Sequence, residues 1–176
     1  MVSGLFSPRT CLSLLLSLGS CLPVAAADFD LVIRSGRVVD GTGNPWQYAD
    51  VAVQGDRIAA VGQVIGRGRI EIDATGYVVS PGFIDIHSHS DFLLLRDGNA
   101  HSKIRQGVTT EILGEGNSAG PFQGRVSAKR VTAGGKEYEL TTLGDYFDLV
   151  QQSGISVNVA SYVGLNNLWR AAMGNS

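Results

Sequence analysis

A chain of 176 residues with 44% hydrophobic and 17% charged side chains carries enough apolar material for one sizeable core. Its net charge of −2 leaves no basic excess for a nucleic-acid partner. The 23 glycines sit at turns between short apolar runs and not in a repeat, which predicts many junctions between strands and loops.

Residues 1–27 read as a signal segment apart from the fold. Arg9 is the one charge before an apolar, small-residue stretch from Cys11 to Ala27, and Ala25-Ala26-Ala27 offers the small residues a signal peptidase needs. Cleavage there starts the mature chain near Asp28 and predicts an exported protein, periplasmic or secreted. Leu18-Gly19-Ser20-Cys21 resembles a lipobox, which leaves lipid anchoring through Cys21 as the alternative. The apolar core is short of the ~20 residues that span a bilayer, so no stable membrane span is expected. Both cysteines, Cys11 and Cys21, lie in this segment, and cleavage after Ala27 removes any disulfide or thiolate ligand.

Residues 28–80 alternate with a period of two. Leu31 and Ile33 alternate with Val32 and Arg34, Ser35-Gly36 reads as a turn before Arg37-Val38-Val39, and Asp40 to Pro45 is a dense turn signal. Gly55-Asp56 joins two further strands as a two-residue hairpin connection. Ile70 to Asp73 and Tyr77 to Ser80 add two more around Ala74-Thr75-Gly76. A unit of this size seldom stands alone.

After Ser80 strands and helices alternate. A strand follows Pro81-Gly82, a helix surrounds His101 to Gln106 with Gly107 closing it, and Val108 to Leu113 is a second buried strand. Gly114 to Glu139 reads as a long polar loop. Thr142 caps a helix on which Leu143, Tyr146, Phe147 and Val150 share a face, with Gly154 at its end. Ile155 to Val163 is a third strand. The order implies an α/β fold with parallel βα units, opening either an α/β barrel or a doubly wound sheet. From Asn166 onward no closing element is expected.

The chemistry concentrates in Phe83-Ile84-Asp85-Ile86-His87-Ser88-His89-Ser90-Asp91. Strand parity puts Phe83, Asp85, His87 and His89 on one face, so two imidazoles converge at a strand end, where neutral imidazole is a good ligand for zinc. A surface or hydrogen-bonded histidine pair is the alternative for the tripeptide alone. The preceding Pro-Gly turn, the short buried strand and Asp91 favour the metal. His101, in a helix start, reads as a surface or capping residue.

These runs resemble a family. Asp30-Leu31-Val32-Ile33, Val38 to Gly43, Gly55 to Gly62, Asp73 to Gly76 and Pro81 to Asp91 are similar to the start of the amidohydrolase superfamily. Gln106 to Gly114 and Asn158 to Gly164 resemble its N-acyl-D-amino-acid deacylases, or D-aminoacylases. The resemblance implies a zinc-dependent hydrolase, with one or two ions, acting on a small-molecule amide. It implies a (β/α)₈ barrel preceded by part of a small β-sandwich: residues 28–80 for the sandwich part and 81–176 for the truncated start of the barrel, about three βα units. His87 and His89 match the family's metal-binding pair. Asp85 is expected either to hold an imidazole by a hydrogen bond or to be paired for structure alone.

The family's metal-binding cysteine in Gly-Asn-Cys-Gly is missing, and Gly114-Glu115-Gly116-Asn117-Ser118 stands in its place. Glu115 is the candidate replacement ligand, with a solvated loop residue as the alternative. A (β/α)₈ barrel takes roughly 250 residues, so 81–176 reads as a fragment whose catalytic aspartate lies beyond its C-terminus. The expected activity of the intact enzyme is hydrolysis of N-acyl-D-amino acids, with a dihydroorotase- or hydantoinase-like cyclic-amide hydrolase or a non-catalytic truncated product as alternatives. The fragment itself is expected to be inactive.

Overall fold

The computed structural model describes residues 27–175; the signal-segment reading, with Cys11 and Cys21, lies outside them. The described residues form two compact units, one of residues up to Val38 with Gln47–Val78, the other of Val39–Trp46 with residues from Val79 onward. No helix among them is long and apolar enough to cross a membrane.

The first unit is one sheet. Strands β1 (Phe29–Val38), β2 (Gln47–Gln54), β3 (Arg57–Gly62) and β4 (Gly68–Asp73) take the order β3-β2-β1-β4, and the short β5 (Val78–Val79) also pairs with β1. β1–β2 and β2–β3 are antiparallel, and β1–β4 is parallel. Gly55, at φ +60, supplies the left-handed residue of the β2–β3 hairpin.

Ser35-Gly36 is a bulge within one continuous strand, where a turn between two was expected. Ser35 takes φ 59 and its N–H leaves the ladder to donate to Asp50 Oδ1 at 2.8 Å. A side chain of the partner strand therefore satisfies the donor that the extra residue displaces.

Both faces of this sheet are apolar. Val32 and Ala52, fully buried, pack with Val64 on one face. On the other, register aligns Leu31 with Val53 and Ile70, Ile33 with Val51 and Ile72, and Val51 with Val61. Val61, Ile70 and Ile72 on that face are exposed.

The second unit holds three parallel strands, β6 (Phe83–Asp85), β7 (Val108–Leu113) and β10 (Asn158–Ser161), in the order β10-β7-β6. Between them run α1 (Asp91–Leu94), α2 (His101–Ile104) and α3 (Leu143–Ser153), and α4 (Leu165–Met173) follows β10. The molecule is thus a mixed α/β structure.

One expectation is corrected here. The stretch 114–139 contains strand β8 (Lys129–Ala133), which pairs antiparallel with β9 (Lys136–Leu140) through Gly134-Gly135, both at positive φ. Two consecutive left-handed residues are what a tight hairpin turn requires. The stretch from Asn166, for which no element was named, lies mostly in helix α4.

The core of the second unit gathers Leu113, Leu140 and Tyr146, all but inaccessible, with Leu94, Leu149 and Val150. The Tyr146 hydroxyl donates to the Asp91 carbonyl at 2.8 Å, which fixes α3 against the start of α1. Burial pushes the Tyr146 hydroxyl pKa well up.

α3 begins in a capping box. Thr142 Oγ1 accepts from the Asp145 N–H at 3.1 Å, and Asp145 accepts in return from the N–H groups of Thr142 and Thr141. Those bonds hold the Asp145 carboxyl below the usual aspartate range.

Thr142→Ala is expected to cost about 1 kcal/mol of stability in urea unfolding at neutral pH. The stabilisation from Asp145 is fully present above the unfolded aspartate pKa and is lost as pH falls through its lowered folded value. Asp145→Ala is therefore expected to flatten the acid-side decline in unfolding midpoint, and an unchanged acid slope would remove the box from the account.

Candidate metal centre

β6 and β7 run side by side, with Asp85 opposite Glu111, so the residues that follow each strand emerge at the same sheet edge. His87 and His89 follow β6, and Glu115 follows β7. Their ligand atoms lie within 4.8 Å of one another. His87 Nε2 is 3.1 Å from His89 Nε2, with ring centroids 5.0 Å apart and planes at 77°. His87 Nε2 is also 2.5 Å from Glu115 Oε2. All three side chains are exposed.

The strand does not carry the histidines, as parity required. It ends at Asp85, and residues 86–87 bend. Convergence comes instead from the residues between and after them. Ser88 is buried and Ser90 half-buried, and both hydroxyls donate to the same oxygen of Glu111, Ser90 Oγ at 2.5 Å and Ser88 Oγ also in short contact. Glu111 is completely inaccessible. With the serines drawn inward, the alternate residues His87 and His89 are left on the outer side together. Ser88 N–H also donates to the Ile112 carbonyl at 3.1 Å, continuing the pairing with β7 past the end of β6.

Asp85 acts on this turn through the backbone rather than through an imidazole. Its Oδ1 accepts from the His87 N–H at 3.1 Å, and its Oδ2 pairs with Lys103 Nζ at 2.5 Å. An aspartate bonding the N–H two residues on is an ordinary local turn. Lys103 also donates to Ser88 Oγ at 3.2 Å and stands 3.6 Å from Glu111 Oε2. The Lys103 hydrogen bond, followed by the His87 N–H, holds the Asp85 carboxyl below its usual range, and the Asp85 bond pushes the Lys103 pKa up.

Asp91 is the first residue of α1 and is buried, which raises its carboxyl pKa. His101 opens α2, exposed, outside the His87, His89 and Glu115 group.

The sequence reading missed Glu111, Lys103 and the two serines. Glu111 leaves a signal, since an acidic residue within the run Val108 to Leu113 conflicts with a buried strand unless it has partners inside. Lys103 leaves none, because its partners are distant in sequence.

The donor set suits a metal ion. Two imidazole nitrogens and a carboxylate oxygen are ordinary zinc donors, and at a zinc–nitrogen distance of ~2.05 Å tetrahedral ligands stand about 3.3 Å apart. The 3.1 Å between the histidine nitrogens is close to that value. The 2.5 Å from His87 to Glu115 is a hydrogen-bond distance that an ion between them would lengthen.

Residues 71–145 match the Amidohydrolase family. The chain is 38% identical over 149 residues to a D-aminoacylase of Alcaligenes xylosoxydans xylosoxydans, covering 82% of this chain and 31% of that protein. A crystal structure of N-acyl-D-glutamate deacylase from Bordetella bronchiseptica, complexed with zinc and a phosphonate inhibitor, superposes with a TM-score of 0.72 at 34% identity, covering 82% of this chain and 31% of that one. A crystal structure of D-aminoacylase gives a TM-score of 0.71 at 39% identity, covering 84% and 32%. The chain thus spans about a third of the length of the relatives it matches. With the paired histidines at a strand end and this likeness along four-fifths of its length, the chain belongs to the amidohydrolase superfamily, in which it resembles the N-acyl-D-amino-acid deacylases.

Proposed function

We propose that this chain forms the metal-holding opening of a zinc-dependent deacylase that hydrolyses the amide bond of N-acyl-D-amino acids. The observation that carries the reading is the convergence of His87, His89 and Glu115 beyond the ends of two adjacent parallel strands. In this reading β6, β7 and β10 are the first three strands of a (β/α)₈ barrel, whose chemistry collects at the carboxyl ends of its strands. The exposed apolar face of the first unit is the side on which a second sheet would complete a sandwich, giving 28–80 and 81–176 as two domains.

His87, His89 and Glu115 would hold the ion, with Glu115 in place of the family's cysteine. Zinc bound there supplies Lewis-acid polarisation of a carbonyl and acidifies a water. This chain's own residues do the placing. Glu111 fixes the direction of both imidazoles through Ser88 and Ser90, and Asp85 with Lys103 fixes the backbone at His87. The proton-transferring aspartate is assigned to the remainder of a longer enzyme, and on that ground the 176-residue chain alone is inactive. A cyclic amide presents the same bond to the same donors; the likeness to deacylases over most of the chain favours the open N-acyl substrate. Export with cleavage after Ala27, or anchoring at Cys21, completes the proposal.

Zinc titration of the chain by calorimetry is expected to show binding that His87→Ala or His89→Ala weakens by more than tenfold. Glu111→Ala, which touches no ligand atom, is expected to cost roughly 10–100-fold in affinity. Unchanged affinity in the histidine variants would remove the metal centre. With N-acetyl-D-amino acids and zinc, the chain alone is expected to give no turnover, and measurable zinc-dependent hydrolysis would overturn the assignment of the proton-transfer group elsewhere. Terminal sequencing after expression in a bacterial host is expected to find Asp28 first, or a lipidated Cys21; a retained Met1 in the cytoplasm would remove the export proposal.

A further inference from the structure

Helix α4 is built the wrong way round for packing. Leu165, Leu168, Trp169 and Met173 are exposed, whereas its one buried residue is the amide Asn167, 3% accessible. Burying an amide costs free energy unless its donors and acceptor are used. Asn167 uses both ends. Its Oδ1 accepts from the Ser118 N–H at 3.0 Å, and its Nδ2 donates to the Ser118 carbonyl at 3.1 Å and the Pro121 carbonyl at 3.3 Å. The side chain thus pairs with the backbone of a segment far away in sequence, as a partner strand would.

That segment carries Glu115. Gly116 accepts from the Asn166 N–H at 2.9 Å, and the Ser118 hydroxyl accepts from the Gly164 N–H at 2.8 Å. Arg170 Nη1 donates to Asn117 Oδ1 at 3.1 Å. On the other side of Glu115, Gly114 packs so closely on Tyr162 and Ser161 that a Cβ there would collide with both. Gly164 lies equally close, since a Cβ would meet the Asn117 and Ser118 backbone at 2.6 to 2.8 Å. The residues flanking Glu115 before and after are therefore held by one corner of the chain, the turn from β10 into α4.

We propose that Asn167 is a positioning residue for Glu115, so that the carboxylate's place in the metal centre is set by the β10–α4 corner and not by β7 alone. The inference rests on the metal centre of the preceding reading. A clamp that acted only on folding would change stability and leave the geometry of a ligand set untouched; a clamp on Glu115 acts on affinity, and only while Glu115 is present.

The experiment is a zinc titration of the full chain with six variants: Glu115→Gln, Asn167→Ala, Arg170→Met, each of the last two combined with Glu115→Gln, and His87→Ala. Circular dichroism establishes which are folded at the titration temperature. Asn167→Ala is expected to weaken zinc binding roughly tenfold, and to add nothing further in the Glu115→Gln background. Arg170→Met, at the helix surface, is expected to show a smaller loss with the same dependence on Glu115, and it decides the matter if Asn167→Ala does not fold. Unchanged affinity on removing the Asn167 or Arg170 contact, or an equal loss with and without Glu115, would overturn the proposal while leaving the metal centre intact. Equal affinity in the parent and in His87→Ala would instead overturn the metal centre itself.

Discussion

One carboxyl group organises the site. Glu111 lies wholly inside the second unit, and two serine hydroxyls converge on one of its oxygens. Because Ser88 and Ser90 are spaced by two, as are His87 and His89, holding one pair in leaves the other pair out. The imidazoles are thus aimed by residues that bear no ligand atoms. The network is satisfied on one side only: Glu111 Oε2 takes both hydroxyls, whereas Oε1 is buried without a hydrogen-bond partner among the described residues, a cost that low local polarity makes larger. Lys103 contributes the positive charge, shared between Asp85 at the end of β6 and Glu111 in β7.

The strand register is what lets this network form. Asp85 stands opposite Glu111 in the parallel pair, so both carboxyl groups reach the same lysine. Shifting β6 by one residue would reverse the side-chain alternation and take Asp85 off that face. The packing beneath is comparably exact at Gly82, where a Cβ would overlap the Thr109 side chain. The Thr109 side chain occupies the space that a side chain at position 82 would need.

The sequence revealed the parts of this structure that are local. Alternation marked the strands of the first unit, Gly55-Asp56 marked its hairpin, and Thr142 with Gly154 bounded α3, because each signal is confined to a few neighbouring residues. His87 and His89 were legible for the same reason. Glu115 was found through the family resemblance, at the strand end where the family's cysteine is missing, and the structure sets it beside His87. What escaped depends on partners far along the chain. Lys103 meets Asp85 across eighteen positions and Asn167 meets Ser118 across forty-nine. The bulge at Ser35 looked like a turn because a left-handed residue serves both, and only Asp50, on the neighbouring strand, distinguishes them. The β8–β9 hairpin was a different failure, since the alternation in Arg130-Val131-Thr132 and Glu137-Tyr138-Glu139 around Gly134-Gly135 was present and was read as loop polarity.

The forty-nine positions between Ser118 and Asn167 also set an order in time. A ribosome adds about 5–20 residues per second, so the segment bearing Glu115 emerges roughly three to ten seconds before the residue that clamps it. The histidine turn needs only β7 to be complete and is available first. In the proposed metal centre, the nascent chain would during that interval offer two imidazoles without a settled third donor. Final geometry waits on a corner of the chain that is synthesised after the segment it holds.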